Sequence, residues 1–550
     1  MKLFNKIYSL LVISSVLVSC SDFLDTAPKD QLSPATFWKT EADAEAALTA
    51  CYNDWALSSD IFFSDCMSDI AFSYSGSSNY KYVGDGSTTQ SRTVKYYDYT
   101  TIRRCNTFLM NADQPVYSSE AVKKDFIAQA RVLRAYRYYF MGFWYGGVPL
   151  IETLPETAAD AQVPKNSEED IKKFVYEELD AATPDLSVTP KQRGRISRGA
   201  ALAIKMRASL YWGDYDLALK AARAIQNLGV YELDPDFLKM FSVEGKDSKE
   251  IILAMQFVEN EYGFGNTIRL YNNEDGGWAS MVPTQDLVDM FEMENGLMPD
   301  EEGSNYDATH PFANRDPRLY NTIIYPGQKW VGSNGKERIV NTLDKEVNGK
   351  PNADYMDAAK NASHTGMIWA KYTTPRSQYN SMYDTSLSPI MYRYAEVLLT
   401  IAEANVELDG DLQESLDLID QLRVRGGQVK VDRTKYNTKD KIRELVRRER
   451  CIELSGEGMR RADLVRWKDA NGKLLAETLL NKTVYRMLGT IDYNESDPTR
   501  RAVLEVPTEE NKSKRKLEDR VFYPFQRYLP FPQSQLDKNP KLEQNEGYVK

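Results

Sequence analysis

Apolar residues recur at spacings of three and four over much of the chain, in segments separated by polar turns. Such spacing places the apolar side chains on one face of a helix, and it predicts amphipathic helices. In residues 168–182, for example, Ile171, Phe174 and Val175 share one face. The predicted helices are 41–55, 97–112, 119–144, 168–182, 199–212, 216–228, 392–408, 412–425, 438–455 and 459–468.

Several of these helices follow one another across short turns. The turn at 213–215 joins two of them, and its surroundings carry part of a tetratricopeptide repeat pattern: Tyr211, Gly213, Asp214, Tyr215 and Ala218. Helix pairs of this kind bury their apolar faces only by stacking on neighbouring pairs. The sequence therefore predicts a mainly α fold, in which tetratricopeptide-like helix pairs form a superhelical scaffold.

Helical periodicity fails in three places. Residues 58–93 are rich in Ser, Gly and Tyr; residues 232–388 have short apolar runs punctuated by Gly, Pro, Asn and Asp; residues 482–550 are again rich in loop formers. These patterns predict a long irregular region with short strands. Long ordered loops on a rigid scaffold are common positions for binding residues.

The first residues have the pattern of a secretion signal. Basic Lys2 and Lys6 precede an apolar run at 7–18, which is too short to cross a bilayer and ends at Ser19-Cys20. No Ala-x-Ala site suggests an ordinary cleavage position, and residues 17–20 resemble a lipobox, so lipid on Cys20 is predicted. Acylation by itself does not distinguish the cell surface from the periplasm.

These boundaries give a predicted division of the chain. Residues 1–19 are a signal peptide, 20–35 a lipidated flexible tether, and 36–230 an N-terminal helical region. Residues 231–550 form a C-terminal region that contains the loop-rich insertion 232–388 and the helix pairs at 390–468.

Charge and cysteine content narrow the possible partners. The formal net charge of −11 disfavours nucleic acid and anionic lipid surfaces. Cys51, Cys66, Cys105 and Cys451 lack zinc-site spacing and are too few for a disulfide scaffold. Buried free thiols are the simplest expectation, although one bridge among the first three remains open.

The sequence gives no positive evidence for catalysis. His310 and His364 are the only histidines, and zinc-helix, nucleophile-elbow, phosphate-loop and dinucleotide motifs do not occur. The segment 332–336 is better interpreted as a turn than as a phosphate loop. A carboxylate pair for glycoside hydrolysis depends on separation in space, and the densest acidic cluster is expected on a solvated helix face: Asp286, Asp289, Glu292 and Glu294. No enzyme activity, cofactor or metal site is predicted.

Aromatic residues are abundant, at 11% of the chain with 34 Tyr, and many lie in the irregular regions. Sugar rings pack C–H groups on aromatic faces while polar side chains bind their hydroxyls, and peptides use similar surfaces. The ligand-binding candidates are Tyr74, Asn79, Tyr80, Tyr82, Tyr271, Asn273, Trp278 and Trp330. Each could instead serve packing, as is expected for the tryptophans in helical patterns: Trp55, Trp144, Trp212 and Trp467.

A series of short motifs behind the lipobox resembles the SusD/RagB family over essentially the whole mature chain. In order, the motifs are CSDFLD (20–25), ARVLRAYRYY (130–139), GVPLI (147–151), GRISRGAAL (194–202), NRDPRL (314–319), RYAEVLL (393–399), RRERCIEL (447–454), DLVRW (463–467) and PFPQSQL (530–536). One departure is SGEGM at 455–459, where the family commonly has an aromatic before the Glu and a His after the Gly.

The resemblance implies a lipid-anchored, surface-exposed protein of the outer membrane of Bacteroidetes. Such a protein binds a nutrient, most often an oligo- or polysaccharide, without catalysis and delivers it to a SusC-like TonB-dependent transporter. It also implies that shared charged residues orient helices through ion pairs and do not contact ligand: Arg131, Arg134, Arg448, Glu449 and Arg450. The alternatives are a peptide-binding member of the same family, a surface glycoside hydrolase, and a structural or adhesive lipoprotein.

Overall fold

The computed structural model describes residues 37–74, 78–358 and 361–548. The predicted signal peptide, the lipidation site Cys20 and the whole of the predicted tether lie outside the described residues. The α-helices are α1 (Glu41–Tyr52), α2 (Ser58–Phe63), α3 (Asn79–Gly84), α4 (Thr100–Asn111), α5 (Glu120–Tyr145), α6 (Glu168–Ala182), α7 (Arg198–Tyr211), α8 (Tyr215–Asn227), α9 (Phe237–Met240), α10 (Gln285–Met290), α11 (Arg318–Thr322), α12 (Tyr394–Glu407), α13 (Leu412–Arg425), α14 (Lys439–Leu454), α15 (Arg460–Leu464), α16 (Ala476–Leu479), α17 (Lys512–Arg515) and α18 (Gln533–Leu536).

Local signals set the ends of the long helices. The Ser167 hydroxyl accepts from the Asp170 N–H and the Asp170 side chain bonds back to Ser167, which forms a capping box at the start of α6. Helix α5 ends at Gly146, whose φ of 67° is left-handed. Helix α1 stops at Tyr52, before the predicted end at residue 55, because Asp54 has a φ of 55°.

The long helices pack as antiparallel neighbours in sequence and then against more distant helices. Helix α5 contacts α4 and α6, α7 contacts α8, and α12 contacts α8, α13 and α14. The predicted mainly α class built from helix pairs is therefore confirmed. Contact between α5 and α6 is close at Gly142, where a Cβ would lie 2.7 Å from Ile171 Cγ2.

Short strands occur in the irregular region 232–388, as predicted, and also at 71–72 and within 483–519, where none was predicted. They pair as antiparallel two-stranded sheets: β1 (Ala71–Phe72) with β3 (Val282–Pro283), β2 (Ile251–Ala254) with β10 (Ile390–Arg393), β4 (Ile323–Ile324) with β9 (Ile368–Trp369), β5 (Lys329–Val331) with β6 (Glu337–Ile339), β7 (Glu346–Val347) with β8 (Lys350–Pro351), β11 (Thr483–Tyr485) with β14 (Lys516–Asp519), and β12 (Gly489–Ile491) with β13 (Ala502–Leu504). The β2–β10 pair joins the two ends of the long irregular region and leads directly into α12. The segment 332–336 is the turn between β5 and β6, as predicted.

Three sequence predictions about secondary structure were wrong. The interruption at 58–93 contains two short helices, α2 and α3. Tyr392 lies in β10 because it pairs with Leu253, so the helix predicted at 392–408 begins at Tyr394. Helix α15 is confined to Arg460–Leu464, and the bridge between Lys468 and Leu474 takes the chain out of the helix.

Buried ion pairs connect the helices to the irregular region. Arg393 is fully buried, and its guanidinium donates to Glu250 at 2.7 Å, Glu453 at 2.6 Å and Glu457 at 2.8 Å. Glu250 precedes β2, whereas Glu453 and Glu457 lie in α14 and just after it. Because isolated buried charges are costly, these groups hold the three segments in one arrangement.

The charged residues of the short family-like motifs also form ion pairs, as expected. Arg134 on α5 donates twice to Glu178 on α6, at 3.0 and 2.6 Å, and Arg131 lies 3.5 Å from the same carboxylate. Glu449 accepts from Arg318 and Arg423, each at 2.6 Å. The remaining pairs are Arg448 with Glu292 and Arg450 with Asp463.

The expectation for the acidic cluster at 286–294 needs correction. Helix α10 ends at Met290, and Glu292 is buried, where it accepts from Arg423 at 2.5 Å and Arg448 at 2.7 Å. Glu292 is therefore part of the ion-pair network and not of a solvated helix face.

The described cysteines are buried free thiols: Cys51, Cys66, Cys105 and Cys451. Of the four tryptophans expected in the core, three are buried: Trp55, Trp144 and Trp467. The fourth, Trp212, is partly buried and packs against the core. Within the described ranges, no helix has the length and apolar character needed to cross a bilayer.

Candidate functional site

A cleft of about 760 Å³ opens where short helices and loops from distant parts of the chain meet. Its walls come from α2 and α3, the segment 94–98, the turn at 266–269, and the chain around Ser534 at α18. Asn79 and Tyr80, two of the predicted ligand-binding residues, line the cleft. It is therefore the place where the structure brings predicted site residues to a common open space.

Aromatic rings form one wall of the cleft. Phe63 at the end of α2 stacks on Tyr80 at the start of α3, with ring centroids 5.6 Å apart and 28° between the planes. Tyr97 also lines the cleft. Exposed faces of such rings offer apolar contact area with little conformational entropy to lose on binding.

Hydrogen bonding beneath the wall fixes Tyr80. Its hydroxyl donates a short hydrogen bond to Asp60 and lies 3.2 Å from Ser59 Oγ. Burial raises the pKa of Asp60 to about 7, although the Tyr80 hydroxyl and the positive charge of Arg137 favour the ionised form. The orientation of the aromatic wall is thus coupled to a buried carboxyl group.

Arg269 links this wall to a second aromatic group. Its guanidinium carbon lies 5.6 Å from the Phe63 ring centroid and 5.3 Å from that of Trp278. Partial burial lowers the pKa of Arg269. Trp278 in turn meets Tyr383 edge to face at 5.9 Å, and Tyr383 is 60% exposed.

The backbone holds Trp278 beside the cleft. The Trp278 N–H donates to the Ile268 carbonyl at 2.8 Å, which attaches it to the turn that carries Arg269. Ala279, the next residue, has a φ of 38°. Non-glycine residues rarely adopt positive φ, and such strained positions are concentrated at functional sites.

Polar groups complete the cleft. The Asn79 amide donates to the Thr93 carbonyl at 2.7 Å, so this predicted residue positions the neighbouring wall. Lys95, Asn266 and Gln535 also line the cleft. Their side chains have no hydrogen-bond partner among the described residues, which leaves donors and acceptors available to a ligand with hydroxyl groups.

A second group of predicted residues serves packing. Tyr271 is fully buried and its hydroxyl donates to the Thr374 carbonyl at 2.5 Å, so its side chain packs between loops and does not line the cleft. Trp330 lies 6.2 Å from Tyr271 and donates its indole N–H to Asp275 at 2.8 Å. Asn273 donates to the Ala353 carbonyl at 3.1 Å.

Tyr74 and Tyr82 lie outside the cleft lining, as does Trp278, which lies beside the cleft against Arg269. Tyr74 packs on His364 with centroids 4.5 Å apart, and its hydroxyl accepts from the Asn361 N–H at 3.2 Å. Tyr82 lies beneath the Arg92 guanidinium at 4.7 Å. The predicted aromatic residues are thus divided between a cleft and local packing.

Sequence reasoning missed several residues of the site. Phe63 lies in a segment predicted as an interruption, and Arg269 and Tyr383 belong to no pattern. Gln535 lies in the PFPQSQL motif, which gave a signal for the family but not for the cleft. These residues come from segments far apart in the chain.

Comparisons with known proteins agree with this architecture. A SusD-like carbohydrate-binding protein from Bacteroides fragilis has a solved structure that superposes with a TM-score of 0.78 at 28% identity, covering 92% of this chain and 100% of that chain. A laminarin-binding SusD-like protein shares the fold, with a TM-score of 0.66 at 19% identity over 93% of this chain and 100% of that chain.

Sequence relatives give the same result. A SusD-like protein of Bacteroides ovatus is 26% identical over 497 residues, which cover 85% of this chain and 83% of the relative. One from Formosa agariphila is 24% identical over 507 residues, covering 86% and 93%. The model of the SusD family matches residues 249–548, more than half of the chain. These matches, with the helix-pair scaffold and the ordered motifs, make this chain a member of the SusD family.

Proposed function

We propose that the chain is a non-catalytic protein that binds a glycan in the cleft between Tyr80 and Trp278. The observation that carries the proposal is that partly buried aromatic rings, Tyr80 and Tyr97, line one open space together with polar side chains that have no hydrogen-bond partner among the described residues. Rings bind the C–H faces of sugars, while Lys95, Asn266 and Gln535 are placed for hydroxyl groups. Carbohydrate binding by the Bacteroides fragilis relative supports the same class of ligand.

The carboxylates near the cleft support binding in preference to hydrolysis. Asp60 accepts from Tyr80, and Asp98 accepts from the Thr100 N–H at 3.2 Å and hydroxyl at 2.7 Å. Both therefore have structural partners within the described residues, which leaves Asp54 as the single carboxylate of the described cleft lining without one. A glycosidase needs two carboxyl groups on opposite sides of the scissile bond.

Titration calorimetry with neutral glycans, acidic glycans and peptides tests the proposed class of ligand. We expect a glycan to bind the wild-type protein and Trp278→Ala to weaken that binding about tenfold or more. Trp330→Ala is the matched control, since Trp330 is another half-buried tryptophan of the irregular region, in strand β5, and lies in the packed group. Peptide binding alone, glycan turnover, or equal effects of the two variants would contradict the proposal.

We further propose that acyl chains on Cys20 anchor the protein at the outer face of the outer membrane, where it delivers glycan to a SusC-like TonB-dependent transporter. Residues 20–35 would then serve as the tether, and 36–230 and 231–550 as the two regions of the body. Cys20→Ala should shift the protein from the membrane fraction to the soluble fraction. Protease accessibility on intact cells tests surface exposure, and co-purification of a transporter tests the partner.

A further inference from the structure

A second aromatic surface lies beyond the cleft, on a small hairpin. Val258 and Tyr262 exchange two backbone hydrogen bonds of 2.9 Å, with Asn260 at a φ of 67° in the turn. Tyr262 stacks on Phe257 with 5.5 Å between centroids and only 4° between planes. Tyr262 is nevertheless 62% exposed, so the hairpin presents a flat, rigid aromatic face to solvent.

The hairpin is held in place by the loop that carries Tyr383. The Asn260 N–H donates to Asp384 at 3.0 Å, and Phe264 pairs with Thr385 in an antiparallel bridge. Tyr383 is the exposed residue that contacts Trp278 at the cleft. The loop that carries Tyr383 therefore contacts both aromatic surfaces.

A cavity of about 270 Å³ lies beside Tyr262. Its polar lining includes Gln192, Arg195 and Gln256. Arg195 lies over the Tyr52 ring at 4.9 Å and donates to Thr49 at 2.9 Å, while its Nη1 is buried without a hydrogen-bond partner among the described residues. A buried donor without a partner costs free energy, which an accepting ligand would recover.

Asp54 connects this cavity to the main cleft. It lines both spaces, and its left-handed backbone follows directly on the end of α1. The Asp54 side chain is exposed, with no hydrogen-bond partner among the described residues. Asp54 thus presents an acceptor at the boundary between the two spaces.

We propose that the Tyr262 face and its cavity form a second glycan subsite, continuous with the cleft across Asp54, so that the protein binds an extended polysaccharide chain along its length. This inference rests on the proposed function. Tyr262 would stack on a sugar ring, Asp54 would accept from a hydroxyl at the junction, and Arg195 would donate to a ligand oxygen. A single glycan molecule occupies both subsites only when it is long enough to span them.

The test compares oligosaccharides of graded length, from disaccharide to polymer, in α-1,4-glucan, β-1,3-glucan and β-1,4-xylan series. In the series that binds, Tyr262→Ala should leave short oligosaccharides unaffected and weaken the long ones about tenfold. Tyr262→Phe retains the ring and should bind as the wild type does. Melting temperatures of all variants establish that they fold.

Tyr523→Ala is the matched control. Tyr523 is 52% exposed and stacks on Phe525 with 5° between planes, but it lines neither the cleft nor the Tyr262 cavity. Wild-type affinity that does not rise with chain length, or an equal effect of Tyr262→Ala and Tyr523→Ala on long chains, would overturn the second subsite. If Tyr80→Ala also leaves binding unchanged, or no glycan series binds the wild type, the proposed function itself fails.

Discussion

Asp60 offers a quantitative test of how the aromatic wall is supported. Its pKa is about 7 in the folded protein against 3.8 as the ordinary value, because burial disfavours the charged carboxylate. The folded state therefore binds the Asp60 proton more tightly than the unfolded state does. The resulting stabilisation is present at acidic pH and is lost as the pH rises towards 7.

The size of the effect follows from the two pKa values. Each pKa unit corresponds to about 1.4 kcal/mol, so ionisation of Asp60 should cost the wild type about 2–3 kcal/mol of unfolding free energy between pH 5 and pH 8. Asp60→Asn removes this titration and keeps a side chain of similar size. Between pH 5 and pH 8, the wild type should therefore lose that much more unfolding free energy than Asp60→Asn does.

Urea denaturation followed by the fluorescence of the eight tryptophans measures this difference at pH 5 and pH 8. Other titrating groups are common to both proteins and cancel in the comparison. Tyr80→Phe removes the hydroxyl that favours the ionised carboxyl, so it should make the loss of stability with pH steeper. Parallel pH profiles of the unfolding free energy for wild type and Asp60→Asn would refute the pKa shift that burial gives Asp60.

Two further predictions concern the scaffold. Arg393→Met removes one of the two cations that each of three buried glutamates contacts, since Arg425 or Lys371 remains, and should cost about 3–5 kcal/mol of stability. Lys439→Met at the exposed pair with Asp409 should cost less than about 1 kcal/mol, and equal melting temperatures would contradict this. Gly142→Ala places a Cβ 2.7 Å from Ile171 Cγ2 and should destabilise the α5–α6 contact by about 1–3 kcal/mol. Ile171→Ala removes Cγ2, so the double variant should lose less stability than the sum of the two single changes. An unchanged urea midpoint for Gly142→Ala would contradict the close packing of α5 on α6 at this position.

The sequence predicted the helical scaffold well because its signals are local. For α6, apolar spacing and the Ser167 capping box lie within one segment, and the predicted bounds agree with the structure. Gly146 likewise ends α5 by its own backbone conformation. Signals of this kind lie within the helix's own segment and can be identified without knowledge of its tertiary contacts.

Errors arose where distant residues decide the outcome. Tyr392 is extended because it pairs with Leu253 in β2. Glu292 is buried because Arg423 and Arg448, more than a hundred positions away, approach its carboxylate. No period or spacing near Tyr392 or Glu292 carries this information.

The candidate site was predicted in part for the same reason. Composition drew attention to Tyr80 and Trp278, but it also selected Tyr271, whose burial depends on packing against other loops. Phe63 and Arg269 were missed because their role depends on the approach of α2 to the turn at 266–269. Loop aromatics can be found from sequence, whereas their division between cleft and core requires the fold.

The most direct test of glycan binding in the cleft is a crystal structure of the protein with a bound oligosaccharide from the series that shows affinity. We expect sugar rings against Tyr80 and near Trp278, with hydroxyl groups bonded to Lys95, Asn266 or Gln535. Sugar bound elsewhere on the surface, with this cleft empty at saturating ligand, would contradict this expectation.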